Sequence, residues 1–535
     1  MATTGTRGRS RNLVLAAMIF AVAMTFIDQT IVSIAAIKIQ RELGLTQAGV
    51  QWAINGYLMS LAAFFAFGGR LADTVGHRRM VVIGVVVFAA ASALCGLTPT
   101  GSLAQAWITV FRVVQGVGGA IMFPAALGIV VQTFDLQHRG RALALFFGIA
   151  GGLTAVGPLL GGYLTEWTWR AIFWVNLPVA AIALVLVAVS KPVTEFKSAK
   201  VDVRGLSLVV GGVALSVLGF QQSSNWGWSS PSTVLCIVVG VALLVAFVLV
   251  ELRTAVPLIQ VRIFRIRAFA VENLVLGIAM LAFVPVFFVA SEYAQISLGK
   301  PAQQAGVYLL YFFLGFVVAS QIGGRLLDRI GAKLPVTLGC TVAAVGFFLW
   351  GRKATGLDFS TQLWPVVISG AGLGMMLTPS STDAVNRASR LSYGEATGIT
   401  QTVRNFSASL GFGVLGTILI DVVRPRFAGS LLADVPGMTR ARAEEIAGTF
   451  GQGGGTTATI SARLHHDVAL DFAAGAKAVF FVMAGVMATA ALVALVGLRS
   501  GVQAADVNSI DASSRGPGGG CGQRVSPATG PARRP

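Results

Sequence analysis

The sequence predicts an all-α integral membrane protein with fourteen spanning helices, two six-helix bundles plus a further helix pair inserted between them. Three observations carry that expectation. Hydrophobic residues make up 55% of the 535 residues and charged residues 12%, with a mean hydropathy of +0.76, whereas soluble domains carry about a quarter of their residues charged. The apolar residues fall into successive runs of about 20, the length that crosses a bilayer as helix. One charged turn, Gly68-Gly69-Arg70-Leu71-Ala72-Asp73-Thr74-Val75-Gly76, returns as Gly323-Gly324-Arg325-Leu326-Leu327-Asp328-Arg329-Ile330-Gly331, and such recurrence between apolar runs points to two structural halves.

Spanning helices are expected at 12–36, 50–68, 80–97, 103–131, 141–164 and 172–189, forming a first bundle over 12–190 after an N-terminal segment 1–11. A basic linker at 191–204 leads to the inserted pair, 206–220 and 234–252, within 205–253. The second bundle, 254–498, holds spans at 268–293, 304–323, 334–350, 363–379, 394–420 and 474–498, with a long external loop at 421–473 in which Arg440–Ala447 looks helical. The tail, 499–535, is rich in Gly, Pro, Ser and Arg and is expected to be disordered. The span at 206–220 is short and glycine-rich, yet removing it would place the two copies of the repeated turn on opposite sides. With fourteen spans and an internal N-terminus, 26 of the 40 lysines and arginines fall in segments on the inner side, as the positive-inside bias requires. Both termini are therefore expected in the cytoplasm. The first apolar run has no small-residue cleavage site and is expected to be retained.

The net charge of +18 does not indicate nucleic-acid binding, because the bases sit in short loops rather than along one face. Cysteines 95, 236, 340 and 521 lack metal-ligand spacing, and no metal or cofactor is expected. The histidines at 77, 138, 465 and 466 are all placed in loops, which leaves the spans without a nucleophile–base pair and argues against an enzyme.

A charge inside a span costs at least ~2.5 kcal/mol to insert, so it is usually buried, paired and functional. Asp28 lies about 8 residues (~12 Å) from the outer end of the first span, and Arg112 about 9 residues (~14 Å) into the fourth from the same side. The pair is either a fixed clasp between two helices or a proton site. Burial opposes the carboxylate's charge and the guanidinium favours it, so such an acid takes up a proton when its partner moves. Arg404, with Gln401 one turn before it, is expected to line a central cavity. Glu292 stands where an apolar residue is expected, as either a proton or cation site or an interfacial carboxylate in water.

The repeated turn resembles the loop between helices two and three of the major facilitator superfamily. Asp28-Gln29-Thr30-Ile31-Val32, Arg112-Val113-Val114-Gln115-Gly116 and Gly157-Pro158-Leu159-Leu160-Gly161-Gly162 resemble signatures of its fourteen-helix drug:proton antiporters. Gln51-Trp52-Ala53-Ile54-Asn55-Gly56-Tyr57, the run from Trp169 to Pro178 that contains Asn176, and Thr402-Val403-Arg404-Asn405 are similar to further family segments. The resemblance covers about residues 12 to 420. It implies a proton-coupling pair at Asp28 and Arg112, and a cytoplasmic latch around Asp73 with Arg70, Arg78 and Arg79, repeated as Arg325, Asp328 and Arg329. Arg139 or Arg141 are candidate partners for Asp73. The glycines Gly157, Gly161 and Gly162 with Pro158 would form a hinge or gasket between halves, and Gln29, Trp52, Asn55, Tyr57, Gln115, Asn176, Glu292, Gln401 and Arg404 are candidate cavity residues. The chain departs from the family pattern at Ala35-Ala36-Ile37-Lys38, where Ala-Leu-Pro is usual, so the outer end of the first helix is expected to differ in shape.

The implied activity is export of hydrophobic, often cationic, drugs or antibiotics in exchange for protons, across the cytoplasmic membrane and by a monomer, with a dedicated exporter of one natural product as the alternative. The proton gradient is the expected energy source, because no G-x-x-x-x-G-K-[ST] phosphate loop is present.

Overall fold

The computed structural model describes residues 3–134, 136–192, 202–254, 257–387, 393–435, 437–448 and 462–501. In the first half the helices are α1 Thr3–Leu43, α2 Gln47–Val75, α3 His77–Gly96, α4 Ala104–Thr133, α5 Leu136–Trp167, and a sixth in two pieces, α6 Ala171–Trp174 and α7 Asn176–Ser190. The inserted pair is α8 Val203–Trp226 and α9 Pro231–Glu251. The second half comprises α10 Arg267–Ile296, α11 Ala302–Ile330, α12 Lys333–Ala354, α13 Phe359–Arg387, α14 Tyr393–Asp434, the short α15 Arg440–Gly448, and α16 Ala462–Gly497. Among the described residues twelve of these spans are long and apolar enough to cross a membrane, and α2, taken as one bent span, makes thirteen. The glycine-rich α5, 32 residues long, completes fourteen long helices.

Helix ends follow local chemistry. Thr46 caps α2 by accepting from the Gly49 N–H at 2.9 Å, Asp202 caps α8 by accepting from Gly205 N–H at 2.9 Å, and Pro231 opens α9 where its missing N–H is harmless. The span expected at 206–220 is a full crossing element of 24 residues. Its glycines do not break it because Gly212 and Gly240 let the α8 and α9 backbones approach closely.

The repeated turn has the same architecture in both copies. Gly76 ends α2 at φ 104° and Gly331 ends α11 at φ 86°, a left-handed conformation that favours glycine. A Cβ on Gly68 would lie 2.1 Å from the Ala120 carbonyl oxygen of α4, and one on Gly323 would lie 2.4 Å from the Met375 carbonyl oxygen of α13. The first glycine of each copy thus lets α2 seat on α4 and α11 on α13, the same contact in each half.

The loop expected at 421–473 is corrected by the structure. Helix α14 continues unbroken to Asp434, α15 follows, and α16 already begins at Ala462. Ala428, Leu431, Ala443, Ala447 and Leu464 pack into a small core of their own, and this apolar patterning is what keeps the extension helical. The basic linker at 193–201 and the tail beyond 501 lie outside the described residues.

The halves meet along two seams, α5 against α11 and α2 against α14, and α8 packs on both α2 and α14. Helix α10 is 83% buried over its most apolar stretch and α9 only 17%, so α10 is an interior helix while α9 rests on α8 with most of its surface toward lipid. A polar chain crosses the second seam: Asn55 Nδ2 donates to Gln221 Oε1 of α8 at 2.6 Å, and Ser409 of α14 donates to Asn55 Oδ1. All three side chains are buried. Replacing Asn55 by Leu is expected to lower stability by about 1–3 kcal/mol by stranding buried polar partners, read as a lower unfolding temperature in detergent. Adding Gln221→Leu and Ser409→Ala is expected to recover part of the loss.

Candidate functional site

Asp28 and Arg112 are each 1% exposed and meet in an ion pair, Arg112 Nη1 donating to Asp28 Oδ2. The depth match read from the two spans is thus a contact between α1 and α4. Helix α4 supplies a second donor one turn on, since Gln115 Nε2 donates to Asp28 Oδ1 at 2.9 Å. Both carboxylate oxygens are therefore occupied. The guanidinium has further partners of its own: Arg112 Nε donates to the Ala53 carbonyl of α2 at 2.9 Å, and Nη1 also donates to Gln115 Oε1 at 2.8 Å. It lies 4.5 Å from the Tyr57 ring centroid and 5.8 Å from that of Phe173, inside cation–π range. The Tyr57 hydroxyl is fixed by donating to the Thr25 carbonyl at 3.2 Å.

Hydrogen bonds continue from Gln115 to the sixth span. Ser92 of α3 donates to the Phe173 carbonyl at 2.8 Å and accepts from Asn176 Nδ2 at 3.0 Å and Gln115 Nε2 at 3.3 Å. Of the candidate residues, Tyr57, Gln115 and Asn176 are thus gathered around Asp28 and Arg112. The arrangement has a chemical consequence. If Asp28 takes a proton and its bond to Arg112 loosens, the guanidinium keeps one carbonyl, one amide oxygen and two ring faces, so it is not stranded as an unpaired buried charge.

The remaining candidates lie elsewhere. Asn55 faces the α8 and α14 seam. Gln29 and Trp52 are partly buried and make no side-chain hydrogen bond among the described residues. Gln401 and Arg404 share a face of α14, Arg404 Nη1 donating to Gln401 Oε1 at 2.9 Å. Glu292 is fully buried, with Gln47 Nε2 donating to its two oxygens at 2.9 and 2.7 Å, so the alternative of a water-facing interfacial carboxylate does not describe it.

Around the first repeated turn, Asp73 Oδ1 lies 3.5 Å from His77 Nε2 and Arg70 Nη2 donates to the Pro257 carbonyl at 3.0 Å. Arg78 and Arg79 are exposed and border a cavity of about 600 Å³ with Val75 and Val82, which shares no residue with the Asp28 network. The side chains of Arg139 and Arg141 lie outside the described residues. In the second copy Arg325, Asp328 and Arg329 are exposed and make no hydrogen bond among the described residues. The placement of histidines in loops is corrected: His77 opens α3 and is buried, His138 lies in α5, and His465 and His466 lie in α16. Each lies within the first few residues of its helix, a boundary that a polar residue beside a charged turn does not mark.

On α5, an added Cβ at Gly157 would lie 2.0 Å from Thr30 Oγ1 and one at Gly161 would lie 3.0 Å from the Ile31 carbonyl oxygen, both of α1. One at Gly162 would lie 2.9 Å from Gln303 Cα, and one at Gly306 would lie 2.4 Å from the Pro158 carbonyl oxygen. The glycines therefore face two ways, joining α5 to α1 in its own half and to α11 in the other. The departure at 35–38 is also explained: without proline α1 continues to Leu43, and Lys38 Nζ donates to the terminal α5 carbonyls of Thr165 at 2.6 Å and Glu166 at 3.3 Å, the favoured place for a cation on a helix dipole.

Sequence reasoning missed Ser92 and the Ala53 carbonyl, which carry no signal in a single sequence. It also passed over Glu272 of α10, fully buried and bonded to the Ser380 hydroxyl of α13, although the rule that singled out Asp28 applies equally to it.

A model of the Major Facilitator Superfamily matches residues 18–412. The chain is 32% identical to the tetracenomycin C resistance and export protein of Streptomyces glaucescens, covering 92% of each chain. It is also 32% identical to a puromycin resistance protein of Streptomyces alboniger, over 76% of this chain and 81% of that one. Among solved structures, a D-xylose–proton symporter superposes with a TM-score of 0.58 at 12% identity, over 91% of this chain and 98% of that one, a likeness of fold.

Asp28→Ala, which leaves the buried Arg112 charge without its counterion, is expected to destabilise by about 3–5 kcal/mol. Asp28→Asn, which keeps an acceptor and the shape, is expected to lose less. The ordering is checked by the fraction of membrane-inserted, monodisperse protein and by thermal unfolding.

Proposed function

The chain belongs to the major facilitator superfamily, and on that premise we propose that it is a proton-coupled antiporter exporting hydrophobic, often cationic, drugs or antibiotics across the cytoplasmic membrane. The observation that carries this reading is the Asp28 carboxylate, buried in the first half and held by Arg112 and Gln115. The inner-facing cavity takes substrate while Asp28 is ionised. The halves then rock about the α5–α11 and α2–α14 seams. With the outer side open, a proton from outside reaches Asp28, the bond to Arg112 loosens, and the guanidinium rests on the Ala53 carbonyl, Gln115 and the Tyr57 ring. Reset to the inner side releases the proton and restores the pair. Substrate is held mainly by apolar and aromatic surface, which tolerates many shapes. Both termini lie in the cytoplasm, the working unit is a monomer, and the proton gradient supplies the energy. The relatives' names, an export protein and a resistance protein, support the direction of transport.

A second reading is a dedicated exporter of one natural product with the same coupling. It is favoured by the relative named for tetracenomycin C, which matches over 92% of both chains. Resistance profiling separates the two: protection against several unrelated compounds supports polyspecific export, and protection against one supports the dedicated exporter.

In proteoliposomes holding an imposed pH gradient, addition of tetraphenylphosphonium, ethidium or puromycin is expected to dissipate the gradient through the wild-type protein. Asp28→Asn is expected to abolish that coupled proton movement while remaining inserted. Unchanged coupling in Asp28→Asn sinks the assignment.

A further inference from the structure

The halves are also joined at the end where α1 runs into α2, and there the contact is polar. Gln47, the first residue of α2, sets its Nε2 against both oxygens of Glu292 on α10. Three residues further along α10, Gln295 Nε2 donates to the Ile34 carbonyl of α1 at 3.1 Å and to Ser291 Oγ at 3.0 Å. Glu292 is fully buried, and among the described residues its side-chain hydrogen-bond partner is a neutral amide. Four charged groups on the surrounding elements are directed elsewhere: Lys38 to the α5 carbonyls, Glu42 to Trp169 Nε1 at 2.7 Å, Lys300 over the Phe359 ring and Lys477 over the Phe481 ring. A buried carboxylate ordinarily has a cation beside it, because a neutral donor offsets only part of its lost hydration. One turn back on the same face of α10, Phe288 meets Phe412 of α14 at 5.1 Å between ring centroids.

We propose that Glu292 is an organic-cation subsite of the outer passage, and that Gln47 is its built-in competitor. The inference rests on the reading that the halves rock, but not on Asp28. When they part at this end, Gln47 leaves with α2, and the carboxylate is exposed beside aromatic rings, a setting that suits a lipophilic monocation such as a protonated amine or quaternary group. When they close, the amide takes both oxygens again and the cation must leave. Occupancy and closure therefore exclude each other, which makes the subsite a last contact for cationic substrates and a bias against their return.

The test uses full-length protein in nanodiscs, with its native cysteines replaced and spin labels at Arg41→Cys and Gln304→Cys, both exposed at this end. Tetraphenylphosphonium is expected to shift the interlabel distance distribution toward longer separations, and the neutral triphenylphosphine oxide is expected not to. Glu292→Gln is expected to raise the concentration for half-maximal shift at least tenfold. Gln47→Leu, which removes the competitor, is expected to lower it, so the two variants move the same quantity in opposite directions and misfolding cannot imitate the pattern. A wild-type response in Glu292→Gln overturns the proposal, as does a response lost in Asp28→Asn but kept in Glu292→Gln, which places the cation at the central pair. Labels that stay fixed under every cation and pH overturn it together with the rocking mechanism.

Discussion

The molecule depends on one buried ion pair whose two members are unequally provided for. Asp28 has two donors, Arg112 and Gln115, and both come from α4, so any shift of α1 against α4 disturbs them together. Arg112 has the Ala53 carbonyl, the Gln115 amide oxygen and the Tyr57 and Phe173 rings as well. A symmetric pair would be a clasp, costly to open from either side. Here the guanidinium has somewhere to rest and the carboxylate does not, and protonation is the way an acid in that position is stabilised when its partner withdraws.

The surrounding fold buries that pair, and the contacts within each half differ in kind from those between the halves. The contacts inside each half are intimate and repeated, with Gly68 and Gly323 bringing backbone onto backbone at matching places. Contacts between halves combine glycine faces of α5 on α11 and hydrogen bonds such as Asn55 to Ser409 and Gln47 to Glu292 with an apolar cluster that joins Ala62 and Ala63 of α2 to Ala396 and Ile399 of α14. Hydrogen-bonded seams re-form after exchange with water at little net cost, whereas interdigitated apolar cores resist parting. The inserted helix α8 lies over one such seam and shares its polar chain through Gln221.

Much of this was legible beforehand, for identifiable reasons. Fourteen helices follow from run length and from the side on which lysines and arginines collect, both imposed by the bilayer itself. Asp28 and Arg112 stood out because charge in an apolar span is rare, and their contact followed from equal depth. What stayed hidden was whatever depends on packing between distant segments. Ser92 reads as an ordinary small residue in Ala-Ala-Ser-Ala until Asn176 and Gln115 are brought to it. Asn55 is a cavity candidate through the resemblance of the 51–57 segment, yet it sits on the opposite face of α2 from Tyr57 and meets α8. The extension of α14 past residue 420 reads as loop in the sequence, and the apolar residues that fold it, such as Ala428 and Leu431, find their partners in α15 and α16.

We propose that Asp28 itself gains and loses the proton. Difference infrared spectroscopy on the reconstituted protein, recorded as the pH is lowered, reads this directly through the carbonyl stretch of protonated carboxyl groups. The account requires a component of that band that is present in the wild-type protein, shifts on isotopic labelling of aspartate, and is missing in Asp28→Asn. An aspartate band identical in wild type and Asp28→Asn would contradict it.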